Sequence, residues 1–515
     1  ASITINLPTT SGTRAANDDF NEGTASEYAV NDATLLIFEK DGSSENEYKF
    51  VEQASLGNLE PWKKDNDANG ITTEATITAQ LNKATVGNNN YYALVILNNK
   101  DKDDADKVTL PSGTTTYGEW NVAAHATETK LVDNTKGFYM ANAPEFKAAD
   151  QEPTTLVPIT GIYRTKEEAH SKPGTTVHVE RGLAKVTVGS NSTSDYFSTA
   201  GATVAENKYK NDVVKITNWA LDVTNKSSFP VHVTAGLKGG LTSTDQTVPA
   251  YTDIWKNAAA TPGTKPATSR FVSQLSATGA FKRVYWGIDP NYSMDLSDLT
   301  KCKTQFTLAE ADGNGVTWND GSDKPLYCME NTFDINNMLQ GQTTRVLLKA
   351  TYTPNALASA PEKTFFMIGN SSDIWTKDNL IKQITSKAKE ALKTTAELTV
   401  VLKGDLLAAG THFLTTENVS IKEGEGETAT EKVDADLVAK LNTKLGLDAT
   451  KGFGIKTYKN GESYYIARIK HFGDELTPWV AGNENYGGKN LNWLGRYGVL
   501  RNNWYDLTIN SISGP

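Results

Sequence analysis

Over the first seven residues apolar and polar side chains alternate without a break, with Ile3, Ile5 and Leu7 on one set of positions and Ser2, Thr4 and Asn6 on the other. That is the period of a half-buried β-strand, and Pro8, which has no backbone donor, ends it. After a Thr/Ser/Gly run comes Arg14, followed by Ala15-Ala16-Asn17-Asp18-Asp19. This segment is too small and too acidic to pack, so the Arg14–Ala15 bond is open to a trypsin-like protease. The pattern leaves two readings: an ordinary first strand followed by a surface loop, or a buryable strand joined to the body by a cleavable hinge.

Strand-like runs recur at 31–40 (closed by the turn pair Asp41-Gly42), 72–81, 91–97, 137–141 and 155–162, each short and flanked by Gly, Asn, Asp or Pro. Short strands with this punctuation predict a sandwich, because an open sheet of so many strands would leave its edges unprotected. Residues 165–176 are polar throughout and carry Pro173-Gly174, which places a domain boundary there and divides the chain into 1–174 and 175–515. Residues 177–188 read as one long strand opening a second sandwich, continued at 218–223, 229–233, 280–286, 343–352, 364–368 and 464–469. Two stretches have helical period instead. Residues 377–395 place Leu380, Ile381, Ile384, Ala388 and Leu392 on one face, and 434–445 do the same with Leu437, Val438, Leu441 and Leu445 behind Asp434 as N-cap. The predicted fold is all-β, two tandem β-sandwiches with a helical insertion in the second.

Composition narrows the function. Only 38% of residues are apolar, Met (5) and Cys (2) are scarce, and the formal net charge is −10. This is a turn-rich, extracellular kind of β-protein, without a basic stripe to hold phosphates, so nucleic acid is not expected as a partner. No run of eighteen apolar residues is present to span a membrane as a helix. The chain starts at Ala1 without a leader, read here as a secretion signal removed or lying upstream. Cys302 and Cys328 bracket a Gly/Asp-rich turn region, where an oxidising compartment would let them form a disulfide; two buried thiols fit the same pattern.

Catalytic patterns are missing from the sequence. It has no G-x-S-x-G elbow and no H-E-x-x-H, and Gly482 to Lys489 has the wrong glycine spacing for a phosphate loop. The six histidines lack ligand spacing. Residues 101–106 and the group Asp312, Asn314, Asp320 and Asp323 lack the closing Glu of a calcium loop and read as solvated turns. No carboxylate pair is spaced for glycoside hydrolysis. The reading is therefore not an enzyme, with no cofactor and no metal. Trp479, Tyr486 and Trp493 could stack on a sugar, which keeps a carbohydrate-binding role open, but aromatics in β-proteins are more often strand core, and Trp493 and Trp504 sit inside apolar patterns.

Several stretches together resemble the Bacteroidetes fimbrillins, subunits of type V pili, in their minor-fimbrium (Mfa-type) branch. They are Val179-Glu180-Arg181-Gly182-Leu183-Ala184-Lys185-Val186, Tyr327-Cys328-Met329-Glu330-Asn331-Thr332, Thr344-Arg345-Val346-Leu347-Leu348-Lys349-Ala350, Ile469-Lys470-His471-Phe472-Gly473 and Tyr497-Gly498-Val499-Leu500-Arg501-Asn502-Asn503-Trp504-Tyr505. In the first half the likeness rests on 92–99 and the opening strand with Arg14. The resemblance implies two transthyretin-like sandwiches, a lipidated precursor at the outer membrane with its lipid-bearing cysteine upstream of Ala1, and a fimbrium at the cell surface. It implies an Arg-specific protease cutting after Arg14, loss of the strand that carries Ile3, Ile5 and Leu7, and insertion of a strand from a neighbouring pilin subunit, a form of β-augmentation. A host protein or glycan is a further expected partner of such a fimbria. Stalk subunits of the family continue beyond the Asn-Ser-Ile-Ser-Gly-Pro stretch with a donor strand, so the expectation is a stalk subunit whose tail follows Pro515, with a tip subunit or adhesin as the alternative.

Overall fold

The segment Ala33–Glu39 is apolar at successive positions, and its two faces enter different cores: Leu35 and Ile37 one, Leu36 and Phe38 the other. A strand of that kind belongs in the middle of a sheet covered on both sides. The computed structural model describes residues 1–7, 23–57, 74–133, 135–147, 152–205, 207–234, 281–291, 299–310, 313–322, 324–332, 342–474, 477 and 495–515. Within them the first sheet is built from β1 (Ser2–Asn6), β2 (Ala33–Glu39), β3 (Lys49–Ser55), β4 (Glu74–Thr78), β5 (Tyr91–Leu97), β6 (Met140–Asn142) and β7 (Thr175–Arg181). Their order is β3-β2-β5-β6-β7-β1-β4, with Val157–Pro158 paired to β5 as an eighth strand.

This sheet curls on itself. Ala54 from β3 and Ile77 from β4, at opposite ends of the strand order, share one core with Ile3, Ile5, Val95 and Val177. The Glu52 carboxylate on β3 closes the gap by accepting the backbone N–H groups of Asn82, Lys83 and Ala84 at 2.7, 2.8 and 2.7 Å. The outer face of β2 and β5 is covered by α1 (Tyr117–Ala123), through Tyr117 and Trp120, and by Leu183, Val231 and Met329 from later in the chain.

Residues 177–188 are two strands, not one. The chain leaves the first sheet at Gly182, whose N–H donates to the Tyr139 carbonyl at 2.9 Å and where an added Cβ would sit 3.1 Å from Leu131 and 3.2 Å from Tyr139. It enters the second sandwich as β8 (Leu183–Ser190). The second sandwich continues with β9 (Val213–Asp222), β10 (Leu326–Met329) and β11 (Arg345–Thr353). A smaller unit follows, made of β12 (Phe365–Ile368), α2 (Lys377–Leu392), β13 (Leu398–Leu402), β14 (Gly410–His412), β15 (Val419–Glu423), α3 (Ala435–Lys444) and β16 (Ile455–Tyr458). Then β17 (Glu462–Arg468) and β18 (Trp504–Ile509) return to the sandwich. Its two sheets are β10-β8-β18 and Ala202–Thr203 with β9-β11-β17, packed over Val186, Val188, Trp219, Val346, Leu348 and Tyr352. The architecture is all-β, with the helices among the described residues confined to short pieces and to the insertion.

Both predicted helices form with their apolar faces inward. Leu380, Ile384 and Ala388 of α2 and Leu437, Val438 and Leu441 of α3 share a core with Phe366, Val400 and Ile421. Thr376 and Asp434 cap them, accepting the N–H of Asn379 at 3.2 Å and of Leu437 at 2.8 Å. The insertion is an α/β unit rather than helices alone, since its strands form two small sheets of their own.

Other expectations need correction. Residues 155–162 shrink to the two-residue strand Val157–Pro158, because Pro158 cannot donate to a ladder. Within 229–233 and 281–286 only isolated bridges form, Val233 with Ile288 and Arg283 with Glu145. For Cys302 and Cys328, where the sequence leaves a disulfide and two buried thiols both open, the structure buries both side chains in different places. Strand β10 aims Cys328 into the sandwich core, while helix Leu299–Gln305 packs Cys302 against Val223 and Phe306 in a separate cluster. Burial pushes the Cys328 thiol pKa well up, so it stays protonated and behaves as an apolar group. Trp504 is 43% exposed and not core, because edge strand β18 turns Tyr505 inward instead; the indole N–H donates to Thr187 Oγ1 at 2.7 Å, under the Lys185 ammonium.

Candidate functional site

Strand β1 lies between two neighbours of opposite sense. It pairs antiparallel with β4, Ile3 opposite Ile77 and Ile5 opposite Ala75, and parallel with β7, Ile3 opposite Thr175 and Ile5 opposite Val177. Its alternation sends Ile3, Ile5 and Leu7 into the core, at 0, 0 and 3% exposure. On the other face the hydroxyls make a short ladder: Ser2 Oγ donates to the Ala169 carbonyl at 2.8 Å and lies 3.1 Å from Thr78 Oγ1, and Thr4 and Thr76 meet at 2.9 Å.

The position of β4 gives this arrangement its chemistry. Among the described residues β4 has no strand partner except β1. Taking β1 out would leave a slot between β4 and β7 of about 10 Å, two strand spacings, lined by backbone donors and acceptors on both walls. It would also uncover three apolar pockets, each worth about 1.5–3 kcal/mol to whatever refills it. An alternating apolar strand is the occupant that satisfies both demands.

Arg14 and Ala15 lie outside the described residues, as do Trp479, Tyr486, Trp493, Asp312 and Asp323. Among the described residues no group of three or more His, Cys, Asp or Glu side chains is placed to hold a metal ion, and no helix is long and apolar enough to cross a membrane.

The structure brings together a second set of residues that local patterns did not single out. Around Gly182 the two sandwiches are joined by buried charge. Glu27 takes the Lys185 ammonium at 2.8 Å and the Tyr327 hydroxyl; burial pushes its pKa up, but these bonds outweigh that and hold it below the usual range. Arg181 donates to the Glu27 carbonyl at 2.6 Å and from its backbone to Asn502 Oδ1 at 3.1 Å. Glu330 and Arg501, 0 and 2% exposed, pair at 3.2 Å, and Arg501 also donates to the Phe229 carbonyl at 2.8 Å. Asn331 donates to Asn225 at 2.7 Å and accepts from the Thr344 N–H at 3.0 Å. Most of these residues fall in the stretches that carry the fimbrillin resemblance, which was the one signal in the sequence that marked them.

On β7, Glu180 faces His232 at 2.9 Å and Arg283 at 3.1 Å. Both imidazole nitrogens of His232 meet acceptors, Glu180 Oε1 and, at 3.2 Å, the Trp286 carbonyl, so the ring is held best with a proton on each. Burial opposes that charge, but Glu180 and Glu330 overcome both burial and the nearby Arg501, and the pKa is raised. A histidine whose folded value is raised contributes stability that is fully present below its unfolded value of about 6.5 and is lost as pH rises through the folded value. Thermal melts should therefore fall as pH rises through that window, and His232→Gln should flatten the slope; equal slopes in the two proteins would contradict this assignment.

No protein-family model matches the chain, and no curated protein matches it. Solved structures do. A fimbrilin of Porphyromonas gingivalis is 11% identical, with 100% of this chain and 91% of that chain covered and a TM-score of 0.35. A fimbrial assembly protein of Parabacteroides distasonis is 12% identical, covering 72% and 92%, with a TM-score of 0.26. The C-terminally truncated tip fimbrial protein Mfa3 of Porphyromonas gingivalis is 10% identical, covering 73% and 98%, with a TM-score of 0.24. The structural neighbours of this chain include fimbrial proteins and proteins named for cell adhesion, from Bacteroidetes, at low sequence identity.

Proposed function

We propose that this chain is a structural, non-enzymatic subunit of a bacterial surface fimbria, a fimbrillin of the minor-fimbrium kind, that gives up β1 and receives a neighbouring subunit's strand in its place. The observation that carries the reading is the place of β1, buried on its apolar face and the sole strand partner of β4 among the described residues. A strand serving only the fold would not need to be followed by a protease-prone Arg14–Ala15 segment of small and acidic residues. In this reading an Arg-specific protease cuts after Arg14 on a lipidated precursor at the outer membrane. The products assemble head to tail into a stalk, and exposed loops are left to meet a host protein or glycan.

Arg14→Ala tests it. The wild-type chain treated with an Arg-specific protease should lose residues 1–14 and polymerise once donor strands are present, whereas the variant should keep its first strand and stay monomeric. Polymers formed from the variant with the first strand still attached would overturn the mechanism.

A further inference from the structure

If β1 leaves, the slot is useful only if its walls stay where they are. The two walls differ in what else holds them. Strand β4 puts Ile77 into the first core and has, among the described residues, no strand partner but β1. Strand β7 divides its pairing: Thr175 to His178 face β1, while Val179 to Arg181 face β6.

The outer face of β7 is gripped by chain from beyond Gly182. Phe281 stacks on His178 with ring centroids 4.1 Å apart. Arg283 and His232 take the two oxygens of Glu180. These gripping segments are themselves anchored to the first sandwich. Phe146 donates to the Lys282 carbonyl at 2.9 Å, Ala126 and Ser228 exchange backbone bonds of 2.7 and 2.8 Å, and Asn121 bonds both backbone groups of Val231, at 2.9 and 3.0 Å.

We infer that the segments around 228–234 and 281–289 clamp β7 from outside through Glu180, His232, Arg283 and Phe281, so that this wall of the slot survives departure of β1 while β4 comes loose. The inference rests on the strand-exchange reading for its meaning. Glu180, His232 and Arg283 are then positioning residues: they touch no incoming strand and preserve the fixed wall against which one aligns. The incoming strand takes its register from β7 and closes β4 over itself.

Hydrogen–deuterium exchange on the full-length Ile5→Asp chain tests this, because a buried carboxylate at position 5 expels β1 without any protease. Exchange at 74–78 should accelerate by at least about tenfold, while 179–181 should stay within about twofold of wild type. Adding Glu180→Gln and Arg283→Ala should remove that protection. The inference is overturned if 74–78 and 179–181 open together in Ile5→Asp, or if the added substitutions leave 179–181 protected. Should Ile5→Asp fail to fold, wild-type exchange at rising denaturant gives the same decision, with 74–78 expected to open first. Polymers of Arg14→Ala would sink the strand-exchange reading and leave this result standing, whereas joint opening of the two walls would sink the clamp alone.

Discussion

Replacing Ile3 and Ile5 together by alanine should cost the first sandwich most of its stability. Each side chain is fully buried in a core shared by all seven principal strands of the sheet. A buried Ile→Ala change costs about 2–5 kcal/mol, part of it lost transfer energy and part the cavity left behind. Two give about 4–10 kcal/mol, with some coupling because both lie on one short strand. A whole domain is stable by only about 5–15 kcal/mol. Calorimetry should show a new low-temperature transition for the first sheet, while the insertion that holds α2 and α3, with its own core, melts as before. A single transition shifted by only a few degrees would mean that β1 matters little to the sheet, and the strand-exchange reading would lose its energetic basis.

Arg501→Met should be nearly as damaging, for an electrostatic reason. The guanidinium is the buried partner of Glu330 and also satisfies the Phe229 carbonyl and the Ser228 hydroxyl, at 2.8 and 3.1 Å. Its removal takes the ion-pair partner away from a carboxylate at 0% exposure. Breaking one side of a buried pair costs about 3–5 kcal/mol, whereas replacing both partners can be close to neutral. Urea denaturation should place Arg501→Met well below wild type, and Glu330→Gln with Arg501→Met should recover part of the loss. A single substitution costing less than about 1 kcal/mol would show that the pair does not hold the junction.

Much of the fold is legible where one periodicity runs uninterrupted. Ile3, Ile5 and Leu7 announce β1, the seven apolar residues of Tyr91–Leu97 announce a buried strand, and the spacing of Leu380, Ile384 and Ala388 announces α2. The break at Gly182 was written in the sequence but as a phase change, not a gap. Inward residues are odd-numbered before it, Val177 and Val179, and even-numbered after it, Ala184, Val186 and Val188. The same one-residue phase decides between Trp504 and Tyr505, and apolar content alone cannot tell which of two adjacent aromatics turns inward. The junction is least legible, because Glu27, Glu180, His232, Glu330 and Arg501 are far apart in sequence and become one cluster only after both sandwiches have formed.

The passage from β7 to β8 at Gly182 has a mechanical side. No linker separates the two sandwiches there, so a pull received by β7 from a strand lying beside it enters β8 without straightening a loop first. Strand β8 then lies parallel to β18 over six residue pairs, from Lys185 with Trp504 to Ser190 with Ile509. Tension along that axis loads those bonds side by side in shear and not one after another as in unzipping. The molecule is therefore built less like two beads on a string than like a single stiff splice.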